Sequence, residues 1–352
     1  MLIYNLNCKN YRNLSDINIP FSERMNVICG ENAQGKTNIL EAVWLFTGAK
    51  SFRNTADSEF IKFGETAASV KIKFNGQKTD NDAEIRFGDK KTAFFNGKKL
   101  SNPSKLAGNF SAVVFSPTDL QIINGGPEKR RRFIDVSIGQ LYPQYIDFLR
   151  EYIRAVKQRN EIIKEYKYDA TAAIMLDTFE TEIAFLGRKV TDYRKKYVSS
   201  LLKYLPEIYD GISSGREDIS VFYGSTAENL EAALKESRKT DKFTGTTSVG
   251  PHRDDLVVKI KGVSARGYGS QGQQRSAAIA LKLAAAEVIK EHTGEYPVCL
   301  LDDVMSELDV KRQNYILNHI ESCQSFITCC DPSNTERLKS GKIIEVREGR
   351  VV

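Results

Sequence analysis

Gly30, Glu31, Asn32, Ala33, Gln34, Gly35, Lys36 and Thr37 match the pattern G-x-x-x-x-G-K-[ST], and no other feature restricts the fold of this chain as much. A short apolar run, residues 25–29, precedes the loop and has the length of a buried strand. Residues 38–46, NILEAVWLF, follow it and read as a helix stopped by Gly48. Glycines let a backbone curl until several N–H groups face one anion, and the helix that follows adds its positive N-terminal end. Lys36 supplies a mobile cation for the β- and γ-phosphates of a nucleotide, and Thr37 supplies a hydroxyl for Mg²⁺. Gly30 through Asn38 are therefore candidate contacts to ATP. A chance glycine turn is the plain alternative, and the readable strand and helix on either side weigh against it.

A second segment belongs with the first. Residues 298–301, VCLL, read as a buried strand running into Asp302 and Asp303, near the other end of the chain. A carboxylate at a strand tip can reach a Mg²⁺ held by Thr37, so Asp302 is the candidate metal ligand. Asp303 is the candidate for polarising the attacking water, with Lys36 as the third catalytic candidate. Taken alone, an apolar strand ending in Asp is often only the start of a turn. The long separation from Lys36 is too great for a compact nucleotide kinase or small GTPase. It suits a nucleotide-binding head interrupted by a large insertion.

The sequence between the two segments changes period. From 68 to 100 apolar residues alternate, with Asn75-Gly76 and Asn96-Gly97 as hairpin signals. Residues 112–115 read as another buried strand. Past Pro127, which suits a first helical turn, Tyr145, Leu149, Tyr152, Val156 and Ile163 repeat at helical spacing. After a turn near Asp169, Leu176, Phe179, Ile183, Leu186, Val190, Tyr193 and Tyr197 continue as a heptad seam that Pro206 ends. An antiparallel coiled-coil arm and a helical subdomain packed on the head both fit this pattern. The chain returns to α/β character from 246. The expected division is a head of residues 1–125 plus 246–352 and a helical insertion of residues 126–245.

Composition narrows little further. The hydrophobic fraction of 41% and charged fraction of 27% are ordinary globular values, and a formal charge of +6 permits an anionic partner without naming one. Six cysteines without metal-ligand spacing and three scattered histidines argue against a metal cluster and for buried free thiols. The N-terminal stretch is too polar for a signal peptide, and no segment reaches the roughly 18 apolar residues of a membrane span, so a cytoplasmic protein is expected. Lys129, Arg130, Arg131 and Arg132 are candidates for contact with a DNA backbone, although charge runs are usually solvated faces.

Ser270-Gln271-Gly272-Gln273-Gln274-Arg275 opens an Ala/Leu-rich helix and offers a hydroxyl, a glycine N–H and a helix N-terminus as a second anion site. An ordinary capped helix start is the bland alternative. The run resembles the ABC-type signature S-G-G-Q. Together with Tyr11-Arg12-Asn13-Leu14, GENAQGKTN, FSPTDL, GGPEKRRRFID, TTSVGPHRDDL and LLDDVMSELD, it resembles the RecF family in order and over nearly the whole chain.

That resemblance implies an α/β fold: an ABC/SMC-type P-loop ATPase head with an inserted helical domain. It implies a weak, DNA-stimulated ATPase that uses ATP and Mg²⁺ and closes as a homodimer on duplex DNA and single/double-strand junctions. RecO and RecR are its implied partners in RecA loading at gaps. Ser270, Gly272 and Gln273 would meet ATP bound by the other protomer, and the 306–309 segment would cross the interface. Arg12 and Arg53 match positions near the nucleotide. Among residues 328–331, where such folds carry a switch residue, this chain has two cysteines and no histidine. The competing reading is the ATP-binding subunit of a membrane transporter. It shares the head chemistry but leaves the heptad helices and GPHRDDL unexplained.

Overall fold

The computed structural model describes residues 1–53, 55–165, 170–215, 217–331, 338 and 340–352. Strands β1 (Leu2–Lys9) and β2 (Ile17–Pro20) open an antiparallel sheet, and β3 (Met25–Cys29) enters a second, parallel one. Helix α1 (Lys36–Trp44) follows, and β4 (Ala68–Gly76), β5 (Thr79–Phe87), β6 (Thr92–Phe95) and β7 (Lys98–Lys99) complete the antiparallel sheet in the order β2-β1-β4-β5-β6-β7. β8 (Ala112–Phe115) returns to the parallel sheet. Next come α2 (Gln121–Asn124), α3 (Pro127–Leu141), α4 (Pro143–Glu165), α5 (Ala170–Leu201), α6 (Leu205–Ser213), β9 (Ile219–Gly224) and α7 (Leu230–Thr244). The chain closes with β10 (Asp255–Ile260), β11 (Val263–Ser264), α8 (Ala265–Tyr268), α9 (Gln271–Thr293), β12 (Val298–Leu301), α10 (Val310–His319), β13 (Ser325–Cys329), β14 (Lys342–Arg347) and β15 (Arg350–Val351).

The second sheet has the order β15-β14-β3-β13-β12-β8, and its strands from β14 to β8 are mutually parallel. It is covered on both faces, which explains why its strands read as unbroken apolar runs. Side chains still alternate. Ile28, Val114, Leu300 and Phe326 join the core shared with α1 and the antiparallel sheet. Their neighbours Val27, Val113, Leu301 and Ile327 join the core shared with α9 and the inserted lobe. A one-residue slip would exchange the two sets.

Helix α1 lies between the two sheets, and Ile39, Leu40, Ala42, Val43 and Trp44 are all buried. Beyond its polar first turn, which faces a cleft, the helix is buried on every side, as its run of apolar residues requires. Its one buried charge, Glu41, is answered by a two-pronged contact from Arg12, with Nε to Oε2 and a terminal nitrogen to Oε1, both at 2.9 Å.

The inserted segment resolves the two readings of the heptad seam by position along the hairpin. Tyr145, Tyr152, Val156, Ile183, Leu186, Val190 and Tyr197 belong to the same core as α9 and β9, so the base of the α4/α5 pair is packed lobe. Farther out, Ile162, Ile163 and Leu176 form a separate small cluster with Met175 and Phe179, so the outer end packs on itself. The turn expected near Asp169 lies outside the described residues. Pro206 opens α6 rather than closing α5, which ends at Leu201; its fixed φ suits a first turn.

Two expectations shift. β9 pairs antiparallel with β10 from Ile219↔Ile260 to Gly224↔Asp255, so a boundary at 246 cuts through a sheet, and β10 and β11 join the inserted lobe. The first hairpin turns at Gln77 and Lys78, both at positive φ, two residues beyond the Asn75-Gly76 signal. Asn96-Gly97 turns where its sequence indicates. β1 pairs with β2 on one side and with β4 on the other.

Candidate nucleotide site

The glycine loop leaves β3 and enters α1 with a backbone only glycine tolerates at two points. Gly30 has φ 148°, and a Cβ there would sit 2.3 Å from the carbonyl oxygen of Val346. Gly35 has φ 115°, and a Cβ there would meet the Leu14 side chain at 2.7 Å. The loop is tied from outside. Asn13 donates to the Ala33 carbonyl at 3.0 Å and accepts from Asn38 at 2.7 Å, and the N–H of Gly349 reaches the Gln34 carbonyl at 3.1 Å. The Lys36 ammonium turns onto the carbonyls of Gly30 (2.5 Å) and Glu31 (2.8 Å).

Pairing of β3 with β13, and of β13 with β12, brings the two distant segments together. Thr37 Oγ1 donates to Asp302 Oδ1 at 2.7 Å, and Thr328 Oγ1 donates to the same oxygen at 3.2 Å. Burial raises the Asp302 carboxyl above its ordinary value, and the two hydroxyl bonds offset part of that shift. Its hydrogen-bond donors are hydroxyls, and it has no ion pair among the described residues. A buried carboxylate beside a threonine hydroxyl is a hard oxygen set that fits Mg²⁺. Asp303 has φ 52°; its N–H is held by Thr328 Oγ1 at 2.9 Å, and its carboxylate accepts from Ser306 at 3.0 Å.

Asn13, Lys36, Thr37, Arg53, Asp303 and Thr328 stand on the walls of a cleft of about 900 Å³ that Arg12, Asn32, Ala33, Gly35 and Asn38 also line; Gly30, Glu31, Gln34 and Asp302 are not on its walls, and Asp302 reaches it through Thr37. Phe63, fully exposed, stands on the same cleft. Arg53 donates to the Asn38 side chain at 2.8 Å. Arg12 borders the cleft, but its fork is spent on Glu41, with a further bond to Thr55 at 2.6 Å. Asn13 and Phe63 are not among the sequence candidates, and Thr328 is so only as the first position of the 328–331 switch stretch. Thr328 sits in an apolar strand run, and nothing local marks it as a partner of the acids.

Ser270, Gly272 and Gln273 do not line this cleft. Ser270 caps α9, accepting from Gln273 N at 3.3 Å, while Gln273 Oε1 accepts from Ser270 N at 2.7 Å. The other end of the Gln273 amide donates to Glu217 at 2.7 Å. Both ends of the Gln273 amide are thus engaged within the chain.

Three arginines of the basic run have partners within the chain. Arg130 is 4% exposed, forks onto both oxygens of Asp255 at 2.7 and 2.8 Å, and also reaches the Gly125 carbonyl at 2.9 Å. Arg131 donates to the Asp254 carbonyl at 2.7 Å, and Arg132 to that of Ser51. Burial lowers the pKa of both. Three of the four cations expected on DNA thus staple α3 to its neighbours, and Lys129 is half-buried. GPHRDDL is likewise an internal hub. His252 Nδ1 meets the Tyr152 hydroxyl at 2.7 Å and Nε2 the Thr247 carbonyl at 3.0 Å; Asp254 accepts from Tyr223 at 2.6 Å and from Thr226.

The family model for the RecF/RecN/SMC N-terminal domain matches residues 2–350. The DNA replication and repair protein RecF of Clostridium perfringens (strain SM101 / Type A) is 38% identical over 362 residues, covering 100% of this chain and 99% of its own. The chain belongs to the RecF family. RecF of Agathobacter rectalis is 38% identical over 357 residues with the same coverage. The recombination mediator protein RecF with ATP, described in the RecFOR pathway, superposes with a TM-score of 0.92 at 34% identity, covering 100% of this chain and 97% of that one. The Smc head domain of Pyrococcus furiosus, bound to the C-terminal domain of ScpA, gives a TM-score of 0.58 at 18% identity and shares the fold alone. No described helix is long and apolar enough to cross a membrane.

Proposed function

We propose that this RecF chain binds ATP and Mg²⁺ in the 900 Å³ cleft, closes as a homodimer on DNA, and reopens after slow, DNA-stimulated hydrolysis. Lys36 and the loop N–H groups of residues 30–38 hold the phosphates. Thr37 and Asp302 hold the metal, which neutralises phosphate charge. Asp303 orients the attacking water, and Phe63 offers its face to the base. The supporting observation is a separation: the Ser270–Gly272 anion site lies outside the cleft of its own chain. A second chain, turned to face the first, supplies that missing wall to each cleft.

DNA contact in this reading is to phosphates, hence salt-sensitive and weakly sequence-dependent. By kinship with proteins of the RecFOR pathway, the role is recombinational repair and replication-gap processing, helping to load RecA with RecO and RecR. Sedimentation with and without ATP-Mg²⁺ tests the closure. The wild type should dimerise with ATP. Ser270→Arg should bind ATP as a monomer and fail to dimerise; an ATP-induced dimer that survives this change refutes the two-chain arrangement. Duplex, single-stranded and gapped DNA, each with and without ATP, test the substrate.

A further inference from the structure

Glu217 lies just before β9 in the inserted lobe, and its side chain is 17% exposed. Three elements converge on its carboxylate. Gln273 Nε2 at the start of α9 donates at 2.7 Å, the Tyr209 hydroxyl on α6 donates at 3.0 Å, and the Lys261 ammonium between β10 and β11 stands 3.7 Å away. A carboxylate only accepts, so Glu217 decides which end of the Gln273 amide is nitrogen. The oxygen end is then directed to the N–H of Ser270 at 2.7 Å.

Through this relay a residue of the inserted lobe sets the shape of the signature loop. Ser270 is held extended, at φ −62° and ψ 158°, with its hydroxyl oxygen receiving the N–H of Gln273. The first N–H groups of a helix have no partner within it. Those of Gln271 and Gly272 have none elsewhere among the described residues. Donors fixed before an anion arrives cost no reorganisation when it does.

We propose that Glu217 is a positioning residue for ATP hydrolysis: by orienting the Gln273 amide, it holds the Ser270–Gly272 anion site in the shape that closes on a triphosphate bound by a second copy of this chain. This inference rests on the two-chain reading above. It also gives the inserted lobe a physical grip on the nucleotide machinery, because Glu217 adjoins the lobe's own sheet at Ile219↔Ile260.

The test uses wild type, Glu217→Ala, Glu217→Gln, Gln273→Leu and the Glu217→Ala/Gln273→Leu double variant. ATP affinity of the monomer, ATP-induced sedimentation shift and steady-state hydrolysis are measured for each. Monomer ATP affinity should stay within about twofold of wild type throughout. In Glu217→Ala and Gln273→Leu, kcat should fall at least about tenfold with KM little changed, and the double variant should lose no more than either single one. Glu217→Gln, whose amide oxygen still accepts from Gln273, should retain at least about half of the wild-type rate.

Dimerisation and hydrolysis by Glu217→Ala at wild-type levels overturns the inference and leaves the two-chain reading standing. Equal losses in Glu217→Ala and Glu217→Gln assign the effect to charge and also overturn it. A wild-type protein that stays monomeric with ATP overturns the two-chain reading and this inference together.

Discussion

Thr37 and Asp302 meet through a 2.7 Å hydrogen bond across 265 positions of sequence. Metal binding should depend on both. Asp302→Asn should slow hydrolysis about 100-fold, equivalent to roughly 2.7 kcal/mol of barrier, while binding ATP without Mg²⁺ as before. Because burial raises the Asp302 carboxyl, protons compete with the metal at higher pH than for an exposed aspartate, so Mg²⁺ affinity should fall as pH falls. Calorimetric titration of Mg²⁺ into the ATP complex across pH checks this; an affinity flat across acid pH would count against Asp302 as ligand.

Phe63 should bind base and not phosphate. Phe63→Ala should weaken ATP binding by the equivalent of about 1–3 kcal/mol, the usual worth of base–aromatic stacking. Inorganic tripolyphosphate, which lacks a base, should bind both forms equally, and Phe63→Trp should restore ATP affinity. Equal weakening of both ligands would assign the loss to the fold of the cleft.

Arg130 should matter for stability. Removing one partner of a buried ion pair typically costs about 3–5 kcal/mol, and Asp255 is 29% exposed, so Arg130→Met should sit near the lower end of that range. Urea unfolding measures this. The salt dependence of DNA binding should not change, whereas losing a phosphate contact would lower the slope by about 1.

His252 should make stability pH-dependent. Burial, the largest cause, lowers its pKa below the ordinary 6.5, and the carbonyl at Nε2 and hydroxyl at Nδ1 fit a neutral ring. Below about pH 6.5 the unfolded chain therefore takes up a proton that the folded one does not, and stability falls as pH drops through that value. The slope is at most about 1.4 kcal/mol per pH unit for one site. Thermal unfolding of wild type and His252→Gln from pH 7.5 to 5.5 should show this contribution in the wild type alone.

The basic run and the hairpin show where local reading ended. Lys129 through Arg132 looked like one exposed patch because charge is visible in sequence and burial is not; the carboxylate of Asp255, far along the chain, drew Arg130 inside. Gln77 and Lys78 took the turn from Asn75-Gly76 because pairing along the whole β4–β5 ladder outweighed one glycine. The edges of the inserted lobe were hidden for the same reason: the short strand β9 acquires its identity from β10.

Sequence by itself determined the local chemistry: a loop whose glycines and lysine suit phosphate, an apolar strand tipped by two acids, a serine-capped helix start and a heptad seam. Each is set by residues a few positions apart, where backbone sterics, capping and side-chain period act. Only tertiary structure decided which of these meet. Strand order placed Thr328 against both acids, turned the fork of Arg12 onto Glu41 at the border of the cleft, and carried Glu217 to the signature loop. Such contacts join groups distant in sequence, and their energy comes from burial and from hydrogen bonds that form only after the sheets have assembled.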